Sequence, residues 1–521
     1  MKKIIEKKAM KQNEHIWISA EDLTGDEALV KESKQEFFNL PVLNDLADEK
    51  KVSEHSANTN RRDFLKYLGF SLGTATVAAA CETPIRKAIP YVIKPEAIVP
   101  GVATYYASSF VRGGDFCPIL VKTREGRPIK IEGNTMATRM GGGTSARAQA
   151  SVLDLYDVAR LRKPSMKDPD GIISDLTWAD LDDAVVKGLA ASKSIRIVAH
   201  TNISPVFHAS VQTFLETYPN ARLVTYDPVS SSGALLAHEL AFGIRELPGY
   251  QFDQAALVVN FGADFLGTWI APTAFAAQFM SRRKLKGADA SDMSRLVQFE
   301  SNMSYTGSNA DHRVLIKPSE QGLAIAKLHN AIAQKMGTPL IDINGSLTNP
   351  KAEDAINAVA DELALTKGSS IVLSNSNNTA EQALIIAINQ ALGNYGSTLD
   401  LAHTSLQRRG IDGEMGNFIS DLAAGSVDAV IFVEDANPVY DHPRGSEVAE
   451  ALDNTPLSIA LTSMPSETQD ICRYTVATPH YLESWGDVNP VRGFYGVVQP
   501  TISPLFDTRP AAQSIGVWAG S

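Results

Sequence analysis

The sequence predicts an α/β protein in which a small β-rich domain precedes two α/β domains with parallel sheets. From about residue 166, short apolar runs alternate with longer helical segments, which is typical of α/β units with parallel sheets. Residues 82–165 are instead rich in β-branched and turn residues. With 521 residues, 44% hydrophobic and 21% charged, the chain is long enough for two or three globular domains.

The predicted domain boundaries follow these changes of pattern. Residues 1–60 are charged and contain few aromatic residues, so we expect a flexible N-terminal extension, apart from a short helix near Ala20–Phe38. The predicted order is a polar extension 1–60, a signal segment 61–80, a β-rich domain 81–165, a first α/β domain 166–345, a second α/β domain 346–500, and the start of a further segment 501–521.

Local patterns place the main elements. A hairpin is predicted from Ile119–Thr123 and Ile129–Asn134, with its turn at Gly126. The later apolar runs predict strands at Ile195–Ala199, Leu223–Tyr226, Leu257–Phe261, Leu296–Phe299, Ile371–Leu373, Ala429–Val433 and Leu457–Leu461. Helices are predicted at Trp178–Leu189, Leu323–Lys335 and Thr379–Leu392.

Two polar turns directly follow predicted strands, at Gly262–Asp264 and at Glu434–Pro438. Open α/β sheets bind ligands at the carboxyl ends of their strands. A polar turn is also simply how many strands end, so each turn alone is weak evidence for a site. The glycine run Gly141–Gly143 lacks the Lys-Ser/Thr of a phosphate-binding loop and is interpreted as a flexible loop.

Composition excludes several classes of protein. The formal charge of −11 argues against a nucleic-acid partner, because a phosphate backbone calls for clustered Lys and Arg. No apolar run reaches the ~20 residues of a membrane-spanning helix. The cysteines Cys81, Cys117 and Cys472 are too few to hold a cubane cluster through four thiolates. We expect Cys117 and Cys472 to be buried as small hydrophobic residues.

A short basic motif followed by the apolar segment Tyr67–Ala80 resembles a twin-arginine export signal. The alternative is a basic cap on an amphipathic helix, but the small residues just before Cys81 suit a signal peptidase better than a packed helix. The signal residues are Arg61, Arg62, Phe64, Leu65 and Lys66.

The string Val77–Cys81 resembles a lipobox, in which cleavage leaves a lipidated N-terminal cysteine. Acyl chains on Cys81 would hold the protein at a membrane surface, since each buried CH₂ contributes ~0.8 kcal/mol. The alternative is an ordinary cleavage site with an incidental cysteine. We expect the periplasmic face of the cytoplasmic membrane, with the chain anchored at Cys81.

Several strings together resemble the molybdopterin oxidoreductases over about residues 82–515. That resemblance implies a molybdopterin oxidoreductase-like fold, with the β-rich domain followed by the two Rossmann-like domains. The matching strings are Lys130–Asn134, Leu155–Asp157, Arg160-Leu161, Pro164, Leu176–Leu181, Asp435–Pro438, Glu467-Thr468, Tyr481–Asp487 and Gln499-Pro500.

The N-terminal strings His15–Leu23 and Glu36-Phe37, followed by the twin arginines, resemble the B subunit of bacterial alternative complex III. The resemblance implies respiratory quinol oxidation with electron transfer to cytochrome c or a terminal oxidase. It also implies multihaem cytochrome c subunits, multi-span quinol-binding membrane subunits and other subunits of that complex as partners. That family adds a ferredoxin-like half with 4Fe-4S and 3Fe-4S clusters, which the resemblance would place beyond Ser521.

The departures from the family pattern bear on cofactors. The chain has no C-x-x-C-x-x-x-C run, and Gly143–Arg147 lacks the cysteine that relatives often carry there. We therefore expect no catalytic, cofactor-binding or metal-binding residue in this segment, with cofactors in the missing half. Glu483 and Asp487 flank Trp485 and are interpreted as a turn motif rather than a catalytic pair.

The leading hypothesis is a non-catalytic scaffold within alternative complex III. One alternative is an active, exported molybdenum or tungsten enzyme that grips a pterin with turns near Gly262, Asn302 and Asn437. The other is a solitary lipoprotein that binds a small ligand.

Overall fold

The computed structural model describes residue 99 and residues 101–137, 140–284 and 293–520, all within a unit that spans Lys94–Ser521. The predicted extension, the twin-arginine motif and Cys81 lie outside the described residues. Across the part of the chain that is described, no helix has the length and apolar character needed to cross a bilayer. The predicted α/β class is confirmed: the described residues form a mixed α/β fold with two mainly parallel sheets.

The β-rich part is a three-stranded antiparallel sheet with one helix packed on it. Its strands pair in the order β1-β2-β3, and the predicted hairpin is present with its turn at Glu125-Gly126. The apolar residues Ile119, Val121 and Ile131 alternate along β2 and β3 and are fully buried. The elements are β1 (Ala103–Arg112), β2 (Asp115–Arg124), β3 (Arg127–Gly133) and α1 (Ala146–Asp154).

A seven-stranded sheet follows, in the order β5-β4-β16-β15-β14-β6-β7. The five strands from β16 to β7 are parallel, and β4 and β5 extend the sheet antiparallel. Its strands are β4 (Ser165–Lys167), β5 (Ile173–Asp175), β6 (Ile195–Ala199), β7 (Ala221–Thr225), β14 (Ala429–Val433), β15 (Leu457–Thr462) and β16 (Tyr474–Ala477).

Helices cover both faces of this sheet, which explains why its parallel strands are continuous apolar runs. Ile195 and Ile197 face one layer of helices, whereas Val198 faces the other. The first layer is α2 (Trp178–Ala191), α3 (Pro205–Thr217) and α14 (Ala511–Trp518), and the second is α10 (Asp412–Ala423) and α12 (Gly445–Leu452). The short helices α11 (Pro438–Asp441) and α13 (Glu467–Ile471) lie near the carboxyl ends of its strands.

The chain between β7 and β14 builds a four-stranded parallel sheet in the order β11-β10-β9-β12. Its strands are β9 (Leu257–Phe261), β10 (Arg295–Glu300), β11 (His312–Leu315) and β12 (Ser370–Ser374). The helices of this stretch are α4 (Ser232–Phe242), α5 (Pro272–Ser281), α6 (Tyr305–Ser308), α7 (Gln321–Met336), α8 (Pro350–Leu365) and α9 (Thr379–Ala391), with a 3₁₀ turn at Pro318–Glu320.

A second, antiparallel four-stranded sheet has the order β18-β17-β13-β8. It combines β8 (Leu247–Tyr250), β13 (Leu399–Ser405), β17 (Gly486–Val491) and β18 (Phe494–Val498). Ser108 and Ser109 of β1 donate to the carbonyls of Gln499 and Val497. This sheet therefore connects the β-rich part to the rest of the described chain.

The neighbouring strands β6 and β14 form the switch point of the seven-stranded sheet. The chain leaves β6 towards β7 on one side, and it leaves β14 towards β15 and β16 on the other. The connections that follow the two strands diverge, which opens a crevice beyond their carboxyl ends. Crevices of this kind are where open α/β sheets bind ligands.

Candidate functional site

A cleft of about 540 Å³ lies at the carboxyl ends of β6, β14, β15 and β16. The turn predicted from sequence at Glu434–Pro438 contributes Glu434 and Asp435 to its lining. The end of β1 and the loop before β17 complete the wall. The switch-point crevice is therefore an open, ligand-sized space.

Arg112 at the end of β1 lies between two carboxylates of the cleft. Its guanidinium is 3.3 Å from Asp435 Oδ1 and 3.5 Å from Asp154 Oδ2. All three side chains are at least one-third exposed, so each pair contributes little to stability. The positive charge of Arg112 is nevertheless balanced within the protein.

Glu434 is held in an unusual backbone conformation. Its φ of +52° lies in the left-handed region, which side chains other than Gly, Asn and Asp rarely adopt. Its N–H donates to the carbonyl of Leu461 on the neighbouring strand at 2.6 Å, and this bond helps to fix the turn. Among the described residues, the Glu434 carboxylate has no hydrogen-bond or ion-pair partner.

The cleft alters the acidity of that carboxylate. Desolvation within the cleft raises the pKa of Glu434 to about 7. The charge of neighbouring Asp435 adds to this shift. The side chain itself stays exposed to the solvent that fills the cleft, so the carboxyl group is accessible and titrates near neutral pH.

A buried ion pair lies beside the cleft, and its Arg160 belongs to the lining. Arg160 donates from Nη1 and Nη2 to the two carboxylate oxygens of Glu483, at 3.0 and 2.5 Å. Glu483 also accepts from the N–H groups of His480 and Leu505. Burial alone would raise the pKa of Glu483, but these bonds lower it, so Glu483 is a structural anion rather than a proton donor.

His480 also forms structural hydrogen bonds through both ring nitrogens. Its Nε2 is 3.0 Å from the carbonyl of Ser151, and its Nδ1 accepts from the N–H of Leu482 at 3.2 Å. Both ring nitrogens are therefore used by a neutral imidazole whose Nε2 carries the proton. Burial, with a smaller contribution from the charge of Arg160, lowers the pKa of His480 to about 4.

The mouth of the cleft is apolar and open. Trp485 is 67% exposed and Val206 is 57% exposed, and both line the cleft. Asp487 accepts from Ser204 Oγ at 2.5 Å and from the N–H of Val206 at 3.1 Å. Asp487 thus caps the start of α3, where first-turn N–H groups need acceptors, whereas Glu483 pairs with Arg160.

The three residues that mark the turns considered for a bound pterin do not contribute to the lining of this cleft. Gly262 and Asn302 follow strands of the four-stranded sheet, whereas Asn437 follows β14. A Cβ at Gly262 would lie 2.7 Å from Asn375 Oδ1. Asn437 accepts from Thr468 N and Oγ1, at 3.0 and 2.7 Å, and donates to the carboxylate of Glu467.

Side chains also fill the carboxyl edge of the four-stranded sheet. Asp264 accepts from the N–H and Oγ1 of Thr306 at 2.8 and 2.7 Å. Glu300 is buried and binds Arg313 and Ser304. The edge beside Gly262 is therefore occupied by the protein's own polar groups.

A further polar cluster lies beside the switch point and was not apparent from the sequence. His200 Nε2 is 3.0 Å from Asp441 Oδ2, and the Tyr226 hydroxyl donates to Asp441 Oδ1 at 2.9 Å. Burial, together with Asp441, raises the pKa of Tyr226. None of the three lines the cleft. They join α11 to the ends of β6 and β7.

The cysteines of the described chain are buried, as the sequence predicts. Cys117 is 3% exposed and Cys472 is 1% exposed, and burial raises the pKa of the Cys472 thiol. Within the described ranges, no group of three or more His, Cys, Asp or Glu side chains is placed to hold a metal ion.

No family model matches the chain. A curated relative, the molybdopterin-binding-like subunit of menaquinone reductase from Nitratidesulfovibrio vulgaris, is 25% identical in an alignment of 444 residues that covers 77% of this chain. The chain spans 63% of that relative's length. Among solved structures, acetylene hydratase from Pelobacter acetylenicus has a TM-score of 0.57 at 10% identity, covering 79% of this chain and 69% of that one.

The structural likeness supports the fold class. The protein has the molybdopterin oxidoreductase-like α/β fold that the sequence predicts. More particularly, its curated relative is a molybdopterin-binding-like subunit of a quinone-linked enzyme.

A molybdopterin dinucleotide does not fit the residues present in the cleft. Phosphates are usually bound by free Arg or Lys side chains and by open backbone N–H groups. Arg112 is balanced by two carboxylates and Arg160 by Glu483, while Glu434 adds a further carboxyl group without a cationic partner among the described residues. An anionic cofactor would meet net repulsion here.

Proposed function

We propose that this chain is a non-catalytic, molybdopterin oxidoreductase-like scaffold within a quinone-linked membrane electron-transfer complex. The observation that carries the proposal is the acidic cleft at the switch point, which offers no free cation for a pterin pyrophosphate. The relative's description as molybdopterin-binding-like, within a menaquinone reductase, supports the same role. In this proposal the fold is retained for its shape and for its surfaces.

The finer proposal is the iron–sulfur subunit of alternative complex III. It rests on the strings His15–Leu23 and Glu36-Phe37 ahead of the twin arginines. In this proposal the chain supports quinol oxidation by membrane subunits and electron transfer to multihaem cytochrome c, with iron–sulfur clusters in a further part of the subunit. The chain would work on the periplasmic face, exported through Arg61-Arg62 and anchored at Cys81.

Metal analysis of the purified full chain tests the non-catalytic role. We expect molybdenum and tungsten to be far below one atom per chain. An active molybdopterin enzyme prepared from the same cells in the same way shows that the cells supply the cofactor. Stoichiometric molybdenum or tungsten in this chain would overturn the scaffold and support an exported oxidoreductase.

Isolation from native membranes in mild detergent tests the assembly. We expect multihaem cytochrome and multi-span membrane subunits to co-purify with the chain. A lone monomer would contradict the complex and support a solitary lipoprotein.

Mass spectrometry of the mature N-terminus tests the anchor. We expect an acylated Cys81, and the Cys81→Ser variant should lose the acyl mass and leave the membrane fraction. An unmodified N-terminus elsewhere in the chain would exclude the lipid anchor.

A further inference from the structure

We propose that the switch-point cleft binds a basic segment of a partner protein, with an Arg side chain at Glu434 and an apolar side chain at Trp485. This deepens the proposed function, because it gives the chemistry of one subunit contact. It rests on that function only in taking the partner to be another subunit. A binding measurement on the isolated chain therefore succeeds or fails independently of co-purification.

The charge of the cleft selects a cation. Four acidic side chains line it, and three of them are already engaged. Arg112 holds Asp154 and Asp435, and Asp487 caps α3 through Ser204 and Val206. Glu434 is the acidic group of the lining that has no polar partner among the described residues, so it is the position where an incoming cation gains most.

The backbone of Glu434 is strained, because its positive φ is unfavourable for a residue with a Cβ. A left-handed glutamate persists only where the surrounding structure over-determines it, and such residues cluster at binding and catalytic sites. A glycine would meet this turn without strain. A side chain that can carry a charge therefore occupies a turn that a glycine would adopt without strain.

A further feature selects a peptide over a free metal ion or amine, because a small cation would leave the apolar mouth of the cleft uncovered.

The mouth supplies apolar contact area. Exposed Trp485 and Val206 line the same cleft, and a solvent-exposed tryptophan beside a pocket is a common anchor of protein interfaces. Arg is the preferred cation at such sites because its planar group both pairs with carboxylates and stacks on aromatic rings. Charge and apolar surface together define an Arg-containing apolar segment.

Calorimetric titration of the purified full chain with the probe acetyl-Leu-Arg-Leu-amide tests the site. We expect saturable one-to-one binding. Replacing Arg by neutral citrulline in the probe should weaken binding about tenfold, as for loss of one charge-assisted contact of ~1.4 kcal/mol. Glu434→Gln should weaken binding of the arginine probe similarly and make the two probes bind equally well.

Control variants separate this contact from general effects. Glu450→Gln changes an exposed glutamate on α12, outside the cleft lining, and should leave binding of both probes unchanged. Trp485→Ala should weaken both probes alike. Circular dichroism of each variant checks that the fold is retained, and Glu434→Gly serves as a second variant whose turn is relaxed.

The proposal is overturned if the probe shows no saturable binding or if citrulline replaces arginine without loss. It also fails if Glu434→Gln and Glu450→Gln behave alike. Arginine amide alone binding as tightly as the tripeptide would indicate a small-molecule cation site and would overturn the protein partner. Stoichiometric molybdenum in the chain would instead refute the scaffold, whatever the titration shows.

Discussion

Glu434 has a backbone conformation that is unfavourable for folding, which points to a role other than stability. Its left-handed backbone is disfavoured for a side chain that carries a Cβ, by roughly 1–2 kcal/mol. We expect Glu434→Gly to raise the free energy of unfolding by about 0.5–1 kcal/mol, after allowing for the greater freedom of glycine in the unfolded chain. Urea unfolding of the purified chain measures this difference.

The same substitution elsewhere should act in the opposite direction. Glu450 lies exposed inside α12, where glycine is unfavourable by roughly 1 kcal/mol in a helix. We expect Glu450→Gly to lower the free energy of unfolding by about that amount. If Glu434→Gly destabilises the chain as Glu450→Gly does, the left-handed turn is not strained.

His480 gives the protein a pH dependence with a definite sign. Burial depresses its pKa in the folded state from 6.5 to about 4. Between these values the unfolded chain binds the additional proton, so stability is present above pH 6.5 and is lost as the pH falls towards 4. The full difference amounts to about 3 kcal/mol.

A glutamine at position 480 carries no titrating group. We expect His480→Gln to be less stable at pH 7, because it loses hydrogen bonds to Ser151 and Leu482, but to lose about 2 kcal/mol less between pH 7 and pH 4.5. Urea unfolding at both pH values measures this. His312→Gln, at an exposed histidine, should show the pH dependence of the parent chain. Equal slopes for all three proteins would refute the assignment.

Single residues of the candidate site could be predicted from the sequence only in part. The buried cysteines could be predicted, because their surroundings are apolar runs. The position of the site was indicated by a polar turn after Ala429–Val433. The left-handed backbone of Glu434 could not be predicted, because a left-handed turn is normally signalled by glycine or asparagine. Nor does sequence reveal Arg160 with Glu483, which pair across more than 300 positions.

At the scale of elements, the C-terminal helix α14 closes one face of the seven-stranded sheet. Trp518 is 1% exposed, and its indole N–H donates to Asp182 Oδ1 at 2.8 Å. Arg509 forms a two-bond ion pair with the same carboxylate and lies over the ring of Trp178 at 4.3 Å. The helix is therefore fastened to α2 by burial, charge and stacking together.

Two tryptophans allow a matched comparison of this docking. We expect Trp518→Ala to lower the free energy of unfolding by about 3–5 kcal/mol, since it empties a buried aromatic position. Trp485→Ala removes an exposed ring and should change stability by less than about 0.5 kcal/mol. Thermal and urea unfolding measure both. Similar losses for the two variants would show that Trp485 is a packing residue and would weaken its role as a binding anchor.

Element positions could be predicted well because they depend on local pattern. The strands Ile195–Ala199, Leu257–Phe261 and Ala429–Val433 were predicted with the bounds that the structure has. Strand partners could not be predicted in the same way, because every buried parallel strand is a similar apolar run. Thus Ile371–Leu373 falls by chain order in the predicted second α/β domain. In the structure it belongs to β12, which pairs with β9 of the four-stranded parallel sheet.

At the scale of the whole molecule, the chain interleaves its sheets. The seven-stranded sheet begins with β4 to β7, is interrupted by the residues that form the four-stranded sheet, and is completed by β14 to β16. The strand β6 thus has β7 on one side and β14 on the other. The switch-point cleft exists because these two distant parts of the chain meet.

This topology predicts the behaviour of a chain truncated after residue 345. It would lack β14 beside β6 and β12 beside β9. Ile197, Val198 and Val259, which are fully buried in the intact chain, would lie on open sheet edges, which promote aggregation. We expect the truncated chain to be largely insoluble and to lack the near-ultraviolet circular dichroism of a packed core.

Co-expression of residues 346–521 provides the matched control, because it returns β12 and β14 to β16 in trans. We expect it to recover soluble, co-purifying fragments with near-native circular dichroism, since the missing strands can complete both sheets. A soluble truncated chain that unfolds cooperatively on its own would mean that β6 and β7 need no partner from the second half. The cleft between β6 and β14 would then be a contact between independent domains rather than the switch point of one sheet.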